Sequence, residues 1–335
     1  MATRVGCLRF LALTVALALL PGSRSEAQYF GQNRVQYRSF DMRVLKTAQF
    51  DIYYYPEEEQ AARLAARMAE RWNARLSRLL DARLPTRQPL ILYASQPDFQ
   101  QTNTLGGQEP GEGTGGVTEP FKRRVILPFA GSLGETDHVL GHELVHAFQY
   151  SMASRATTGL EASPMEHMPL WFIEGMAEYL SIGPVDANTA MWMRDAVARK
   201  KVPKIKQLDN AKYFPYRWGQ ALWAYIGGRW GDPVVGKILH AAARNGDSRG
   251  AIEHTLGMKI DVLSKEWHEA LEKAYRPAIE RTRTAELKPL LGDVGRGRMN
   301  LGPAVSPDGQ RVMFLSEKSL FAVELYMADT KSGQV

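Results

Sequence analysis

Val139-Leu-Gly-His-Glu-Leu-Val-His-Ala-Phe148 is the stretch of this sequence from which the rest is interpreted. His142 and His146 are four residues apart, so on an α-helix they share one face and can bind one ion. Glu143 is turned about 100° from His142 on such a helix, beside the ion, where it can take a proton from a metal-bound water. The alternative is a core helix with two incidental histidines, since this motif is a hypothesis that needs structural context.

A second segment, Trp171-Phe-Ile-Glu-Gly-Met-Ala-Glu-Tyr179, supplies such context. Glu174 is the candidate third ligand, and three protein ligands leave the fourth position of a tetrahedral zinc ion for water. Glu178 follows four residues later, where it could accept the second ring N–H of a ligating histidine and fix the orientation of that ring. The alternative is that both are surface acids. We disfavour it, because acids in an otherwise apolar helix need a partner.

The two motifs together resemble the gluzincin peptidases, in the branch that contains the zinc aminopeptidases and the peptidase MA-like domains. The resemblance covers roughly residues 126–271 and implies a thermolysin- or aminopeptidase-like fold with one Zn²⁺ ion as cofactor. It implies the same roles as above, namely His142, His146 and Glu174 as ligands, Glu143 as general base and Glu178 as support. The ligands are more widely spaced than in the aminopeptidases, with 27 residues between the second histidine and the third ligand. We expect residues 151–168 to form a loop over the site.

The segment Pro215-Tyr-Arg-Trp-Gly219 carries a further likeness. The aminopeptidases have Pro-Tyr-x-x-Gly before a similar helix, and their tyrosine hydrogen-bonds the tetrahedral oxyanion. Tyr216 is the matching residue, and such donors can lower a barrier by about 3–4 kcal/mol. A packing tyrosine at a helix start is the alternative, and Tyr213 is the second choice for the same role.

Glu119 is a candidate substrate-binding residue. It distantly resembles the acid with which aminopeptidases bind a free amino terminus, and a surface acid is the alternative. The full amine-binding motif is missing from this sequence. We therefore favour an endopeptidase over an aminopeptidase.

The order of the sequence patterns predicts strands first and helices later. Runs of β-formers predict strands within 34–55, 89–94 and 124–129. Apolar residues at helical spacing predict a helix over 57–80 and a helical half from 134 to about 283. Such an order is typical of an α+β domain, which we place at 28–285.

The first 27 residues have the features of an export signal. Arg4 and Arg9 precede the apolar run Phe10–Leu20, and Ser25-Glu26-Ala27 fits the cleavage pattern. Eleven residues are too few to span a bilayer, which takes about 20. The sequence therefore predicts an exported protein, periplasmic or extracellular, with no stable transmembrane span after cleavage.

The composition is that of a soluble globular protein, with 44% hydrophobic and 23% charged residues. Loss of the signal would lower the net charge from +6 to +4 and would remove the one cysteine, Cys7. Disulfides and thiolate ligands are then excluded. The basic residues are spread out and accompany no nucleic-acid-binding motif, so we expect no nucleic-acid partner.

The end of the chain has a different pattern. A Ser306-Pro-Asp-Gly309 turn lies between two β-type runs, and 324–329 is a third run. This segment resembles the opening repeat of a TolB-type β-propeller. We therefore predict a linker at 286–299 and a first, incomplete β-propeller repeat at 300–335. Because such repeats need neighbours, we expect the natural polypeptide to continue and the propeller to offer a binding surface for a protein partner.

Three functions are compatible with these patterns. The first is zinc-dependent hydrolysis of a peptide or protein substrate, with Glu143 activating the zinc-bound water. The second is a non-catalytic binding or scaffold protein of the cell envelope, built on a peptidase-like domain and the propeller. The third is a metal-dependent hydrolase of non-peptide substrates. A scaffold has no need of Glu143, which favours the first.

Overall fold

The computed structural model describes residues 36–102, 111, 113–120, 122–154, 163–282, 289–291, 299–319 and 322–335. The described residues form two compact units, divided after Ile279. The predicted signal at 1–27, most of the predicted linker at 286–299 and residues 155–162 of the predicted loop lie outside the described residues. The predicted domain bounds stay predictions.

The larger unit combines a five-stranded sheet with nine helices among its described residues. The strands are β1 Arg43–Lys46, β2 Phe50–Tyr54, β3 Gln88–Tyr93, β4 Val117–Glu119 and β5 Arg124–Pro128. The helices are α1 Glu59–Leu79, α2 Gln96–Phe99, α3 Leu133–Ser154, α4 Leu170–Ile182, α5 Ala187–Ala198, α6 Pro215–Trp230, α7 Pro233–Ala242, α8 Ser248–Leu256 and α9 Ile260–Arg281. Short 3-10 helices cover Pro56–Glu58, Pro164–His167 and Ile205–Gln207. This mixture confirms the predicted α+β class.

The sheet has the strand order β1-β2-β3-β5-β4. Strands β2, β3 and β5 are parallel neighbours, whereas β1 and β4 pair antiparallel at the two edges. Parallel neighbours need a crossover connection, and α1 supplies the one from β2 to β3.

No helix among the described residues combines the length and apolarity needed to cross a membrane.

Both faces of the sheet are buried. Because successive side chains of a strand point to opposite faces, Leu90 packs in the main core with α1 and α3, whereas Ile91 packs in a second cluster around Phe99. In the edge strand β4, Val117 belongs to that second cluster. Its neighbour Thr118 therefore faces α3.

The position of α3 is set by its contact with α1. A Cβ atom on Gly141 would lie 2.6 Å from the indole of Trp72, so the backbone of α3 lies directly on this ring. The indole nitrogen also donates a hydrogen bond of 2.9 Å to Asp137 Oδ1. Any side chain at position 141 would push the histidine-bearing helix away from α1.

Helix α4 is held between α3 and α6. Gly175 and Gly219 face each other where α4 crosses α6, and a Cβ atom on either would overlap the backbone of the other helix. Trp223 packs edge-on against Phe172 at a centroid distance of 5.1 Å and donates to its carbonyl oxygen at 3.1 Å. These contacts fix the helix that carries Glu174.

The smaller unit contains a three-stranded antiparallel sheet in the order β6-β7-β8. Its strands are β6 Asn300–Val305, β7 Arg311–Ser316 and β8 Glu324–Asp329. In the turn between β6 and β7, Ser306 Oγ lies 2.5 Å from Asp308 Oδ1 and accepts from the Arg311 amide at 3.0 Å. The three predicted runs are thus strands, and their assignment to a β-propeller stays a prediction.

Candidate active site

The three predicted ligands converge on one point between α3 and α4. The Nε2 atoms of His142 and His146, one helical turn apart on α3, lie 3.1 Å from each other. Oε2 of Glu174 on α4 lies 3.2 Å from the first and 3.3 Å from the second. Both imidazoles are buried and the carboxylate is partly buried. These three residues could hold a metal ion.

The electrostatics of this cluster favour a bound cation. Burial lowers the pKa of His142, but its contacts with Glu174 and Glu178 outweigh burial and raise that pKa to about 10. The pKa of His146 is also raised, because Glu174 outweighs burial in the same way. Burial raises the pKa of Glu174, but the two histidines hold it far below its usual range. A metal ion can replace the ring protons as the positive charge beside the carboxylate, since a ligating histidine is neutral.

Glu178 lies beside the Nδ1 atom of His142. Its Oε1 is 3.1 Å from His142 Nδ1, an ion-pair distance without the alignment of a hydrogen bond. Its Oε2 accepts a hydrogen bond of 3.1 Å from Arg217, which also reaches Asp186 at 3.3 Å. Sequence analysis did not identify Arg217, because only the crossing of α4 and α6 brings it to Glu178.

His138 has a contact that the sequence did not predict. Its Nε2 lies 3.4 Å from Glu178 Oε1, and His138, His142 and Glu178 form a second group that could hold a metal ion. Burial raises the pKa of Glu178, but His138 and His142 outweigh it and lower that pKa to about 2. The spacing of four residues before His142 was the available signal, since it places both rings on one face of α3.

Glu143 is buried and contacts the edge strand of the sheet. Thr118 Oγ1 lies 2.7 Å from Glu143 Oε2 and donates to it, and the same hydroxyl lies 2.8 Å from the Glu143 carbonyl oxygen. A Cβ atom on Gly116 would lie 2.9 Å from Glu143 Cγ. Gly116 and Thr118 therefore pack directly against the Glu143 side chain. Nothing in the sequence pattern identified Thr118 or Gly116, because the contact joins residues 25 positions apart.

The structure does not bring Glu119 to the histidine pair. Glu119 follows Thr118 in β4, and neighbouring side chains of a strand point to opposite faces. Its carboxylate accepts hydrogen bonds from Arg124 Nε at 3.2 Å and from the Lys122 amide at 3.0 Å. The substrate-binding role predicted for Glu119 has no support in this geometry.

Tyr216 lies at the site and Tyr213 packs elsewhere. The Tyr216 ring stacks on the His142 ring, with centroids 5.8 Å apart and planes 17° apart. Burial and the nearby Glu174 carboxylate raise the pKa of Tyr216 above its ordinary value, so its hydroxyl keeps its proton at neutral pH. Tyr213 instead packs edge-on against Trp218 at 5.9 Å. Of the two predicted candidates, Tyr216 is the one whose ring lies against a candidate ligand.

Gln149 is a further residue that sequence analysis missed. Its amide nitrogen donates to the Ile173 carbonyl oxygen at 3.1 Å, which orients the amide, and its oxygen lies 2.8 Å from His146 Nδ1. Because an amide oxygen only accepts, Nδ1 carries the proton of the neutral ring, which leaves the Nε2 lone pair for a metal ion. The signal was a polar residue three positions after His146 in an apolar helix.

Comparison with known proteins supports a peptidase-like domain. Residues 129–267 match BSP, a family described as peptidase of plants and bacteria. The matched range contains the three histidines of α3 and the two glutamates of α4. A comparison with curated proteins finds no match. Residues 129–267 therefore form a peptidase-like domain, and a peptide or protein is the substrate that this similarity indicates.

Proposed function

We propose that this protein is a zinc-dependent peptidase in which His142, His146 and Glu174 hold one Zn²⁺ ion and Glu143 is the general base. The observation that carries the proposal is the convergence of three donor atoms, within 3.3 Å of one another, from two helices of a peptidase-like domain. Gln149 and Glu178 contact the other ring nitrogen, Nδ1, of His146 and His142 respectively.

The donor atoms fit a zinc ion in number, type and spacing. Two imidazole nitrogens and one carboxylate oxygen are zinc ligands, and a tetrahedral ion with bonds of about 2.0–2.1 Å has its ligand atoms about 3.3–3.4 Å apart. The three separations of 3.1, 3.2 and 3.3 Å are within a few tenths of an ångström of this spacing. Three protein ligands are also the usual number at a catalytic zinc site.

The surrounding residues supply the proton transfers. When bound, zinc would polarise the scissile carbonyl and lower the pKa of water to roughly 7. Thr118 donates a hydrogen bond to Oε2 of Glu143. Oε1 accepts no hydrogen bond from the described residues, and it is therefore the atom that takes the proton from the attacking water. Glu143 passes this proton to the leaving amine. The protonated hydroxyl of Tyr216 donates to the oxyanion that develops on the substrate.

We favour an endopeptidase over an aminopeptidase. In β4, the side chain that faces α3 is Thr118, a neutral hydroxyl, while Glu119 is bound to Arg124. This strand therefore presents no carboxylate to bind a free amino terminus. Export to the periplasm or the exterior is a further proposal and rests on the signal features of residues 1–27.

The finer fold assignments are also proposals. The mixed sheet, with its antiparallel edge strand against the histidine-bearing helix, supports a thermolysin- or aminopeptidase-like arrangement. The three strands of the smaller unit support a first β-propeller repeat, which could recruit a protein partner. A scaffold without activity is the alternative function. The buried and hydrogen-bonded Glu143 argues against it, because a scaffold does not need a base.

The test combines metal analysis with turnover of labelled casein. Wild type is expected to carry one zinc ion per chain and to cleave casein, and His146→Ala is expected to lose most of the zinc. Glu143→Gln is expected to keep zinc and lose cleavage, because the amide cannot accept the proton. Glu135→Gln, which changes an exposed acid on the same helix, is the matched control and is expected to behave as wild type. Wild-type turnover by Glu143→Gln would rule out the mechanism.

A further inference from the structure

Three aromatic side chains form a continuous row that starts at the candidate metal site. Tyr216 stacks on the His142 ring at a centroid distance of 5.8 Å. Phe214 lies 5.1 Å from Tyr216 with an interplanar angle of 30°, and Trp192 lies 5.7 Å from Phe214 with an angle of 39°. The aromatic row, defined as Tyr216, Phe214 and Trp192, therefore runs from a ligand ring out to α5.

The outer part of this row is exposed. Phe214 is 43% exposed and Trp192 is 38% exposed, and Met191 beside Trp192 is 49% exposed. All seven tryptophans of the chain lie in the described residues, and Trp192 is the one among them that is exposed. Large apolar surface left in water is costly, and a contiguous patch of it marks a binding surface.

Two charged groups that lie near the row in the chain are already paired. Arg217, which follows Tyr216, binds both Glu178 and Asp186. Asp186, at the start of the helix that carries Trp192, also caps that helix by accepting from the Thr189 amide at 2.7 Å. These two charges are therefore committed to the protein itself and are not free to bind a ligand along the row.

We propose that the aromatic row is a substrate subsite that binds a large apolar or aromatic side chain of the peptide, next to the scissile bond. This inference rests on the proposed peptidase function and adds the class of side chain that the enzyme selects. A peptide whose reacting carbonyl lies at the ligand cluster can place a neighbouring side chain along the row, because Tyr216, the first ring of the row, stacks on the ligand His142. Aromatic rings pack well in tilted and offset arrangements, and the row offers such faces at Phe214 and Trp192.

Cleavage profiling of the wild-type enzyme is the first experiment. A library of proteome-derived peptides is digested, and the products are identified by mass spectrometry. We expect Phe, Tyr, Trp, Leu or Met to be enriched at one position within two residues of the cut. Equal representation of polar and apolar residues at all of those positions would overturn the proposal.

Two peptides that differ only in Phe against Ser at the enriched position give the sharper test. For Phe214→Ala and Trp192→Ala, we expect KM for the Phe peptide to rise about 10-fold or more, which corresponds to about 1.4 kcal/mol. The Ser peptide should change little, and kcat should be nearly constant for both. Val262→Ala, another exposed apolar residue, is the control and should leave both KM values unchanged.

Peptide binding gives a readout that does not depend on turnover. Fluorescence anisotropy measures binding of each labelled peptide to Glu143→Gln, alone and combined with Trp192→Ala. We expect the second change to weaken binding of the Phe peptide selectively. Equal effects on the binding of both peptides would contradict the proposal. A change of oligomeric state with unchanged peptide selectivity would also contradict it and would identify the row as a contact between two copies of the chain. Wild-type turnover by Glu143→Gln would instead contradict the proposed function, and a wild type that cleaves no peptide would contradict both.

Discussion

Thr118 donates a hydrogen bond of 2.7 Å to Oε2 of Glu143 and so joins the edge strand of the sheet to the helix that carries the candidate ligands His142 and His146. Both side chains are buried. The same hydroxyl lies 2.8 Å from the Glu143 carbonyl oxygen, but it has one proton and can donate to only one acceptor at a time. In the proposed mechanism this bond holds Oε2 of the base and leaves Oε1 to take the proton from water.

Removal of the Thr118 hydroxyl should slow turnover without loss of metal. A hydrogen bond to a charged group is worth about 1.5–3 kcal/mol, so Thr118→Val is expected to lower kcat about 10- to 100-fold while KM and zinc content change little. Thr118→Ser keeps the hydroxyl and should recover most of the activity. Steady-state kinetics on one peptide substrate measure both variants. A Ser variant as slow as the Val variant would mean that packing, not the hydrogen bond, is what matters.

Loss of the Gln149 amide should weaken zinc binding. Gln149→Met keeps the bulk of the side chain but leaves His146 Nδ1 without its acceptor, and changes to such supporting partners typically cost about 10- to 100-fold in metal affinity. Competition with a chromogenic chelator measures the affinity. Gln220→Met is the matched control, because Gln220 is another buried glutamine that bonds a backbone carbonyl, that of Gly183. It should keep wild-type zinc affinity, and equal affinities for all three proteins would contradict the role of Gln149.

Glu58 should make the fold less stable as the pH rises. Burial raises the pKa of Glu58 from 4.5 to about 7, and neither of its oxygens accepts a hydrogen bond from the described residues. Between these two values the folded state holds a proton that the unfolded state has lost, so the free energy of unfolding falls with rising pH and reaches its lower level above about pH 7.

Glu58→Gln removes this charge and should raise the free energy of unfolding at pH 8 by about 1–3 kcal/mol, with little effect near pH 4.5. Urea denaturation of wild type and variant at both pH values measures the difference. Parallel stability curves for the two proteins across this range would show that Glu58 ionises freely in the folded state.

The crossing of α4 and α6 should not tolerate a methyl group. In Gly175→Ala the new Cβ would overlap the Cα of Gly219, and such overpacking typically costs about 1–3 kcal/mol. We expect a lower Tm and, because α4 carries Glu174, weaker zinc binding. Gly228→Ala is the matched control on α6, since no atom lies within 4 Å of its Cβ position. It should stabilise the helix by about 0.5–1 kcal/mol, and a Gly175→Ala protein with wild-type Tm would contradict the close approach.

Local periodicity was sufficient for helix α1, for strands β3 and β5 and for the shared face of the two ligand histidines. The helix predicted over 57–80 is observed as Glu59–Leu79, and the strands predicted at 89–94 and 124–129 are observed within one residue of those bounds. His142 and His146 share a face because a helical period places residues four apart together. These relationships depend on neighbours in the chain, and a sequence pattern therefore records them.

The tertiary structure alone decided which distant side chains meet Glu143 and Glu178. Thr118 reaches Glu143 because the alternation of β4 turns it toward α3 and turns Glu119 away. Arg217 reaches Glu178 because two glycines let α6 cross α4 without side chains between them. Such contacts depend on the packing of whole elements against each other, which leaves no periodic trace in the sequence. The amino-acid sequence by itself thus determined the ligand-bearing helix face, whereas the fold determined what surrounds it.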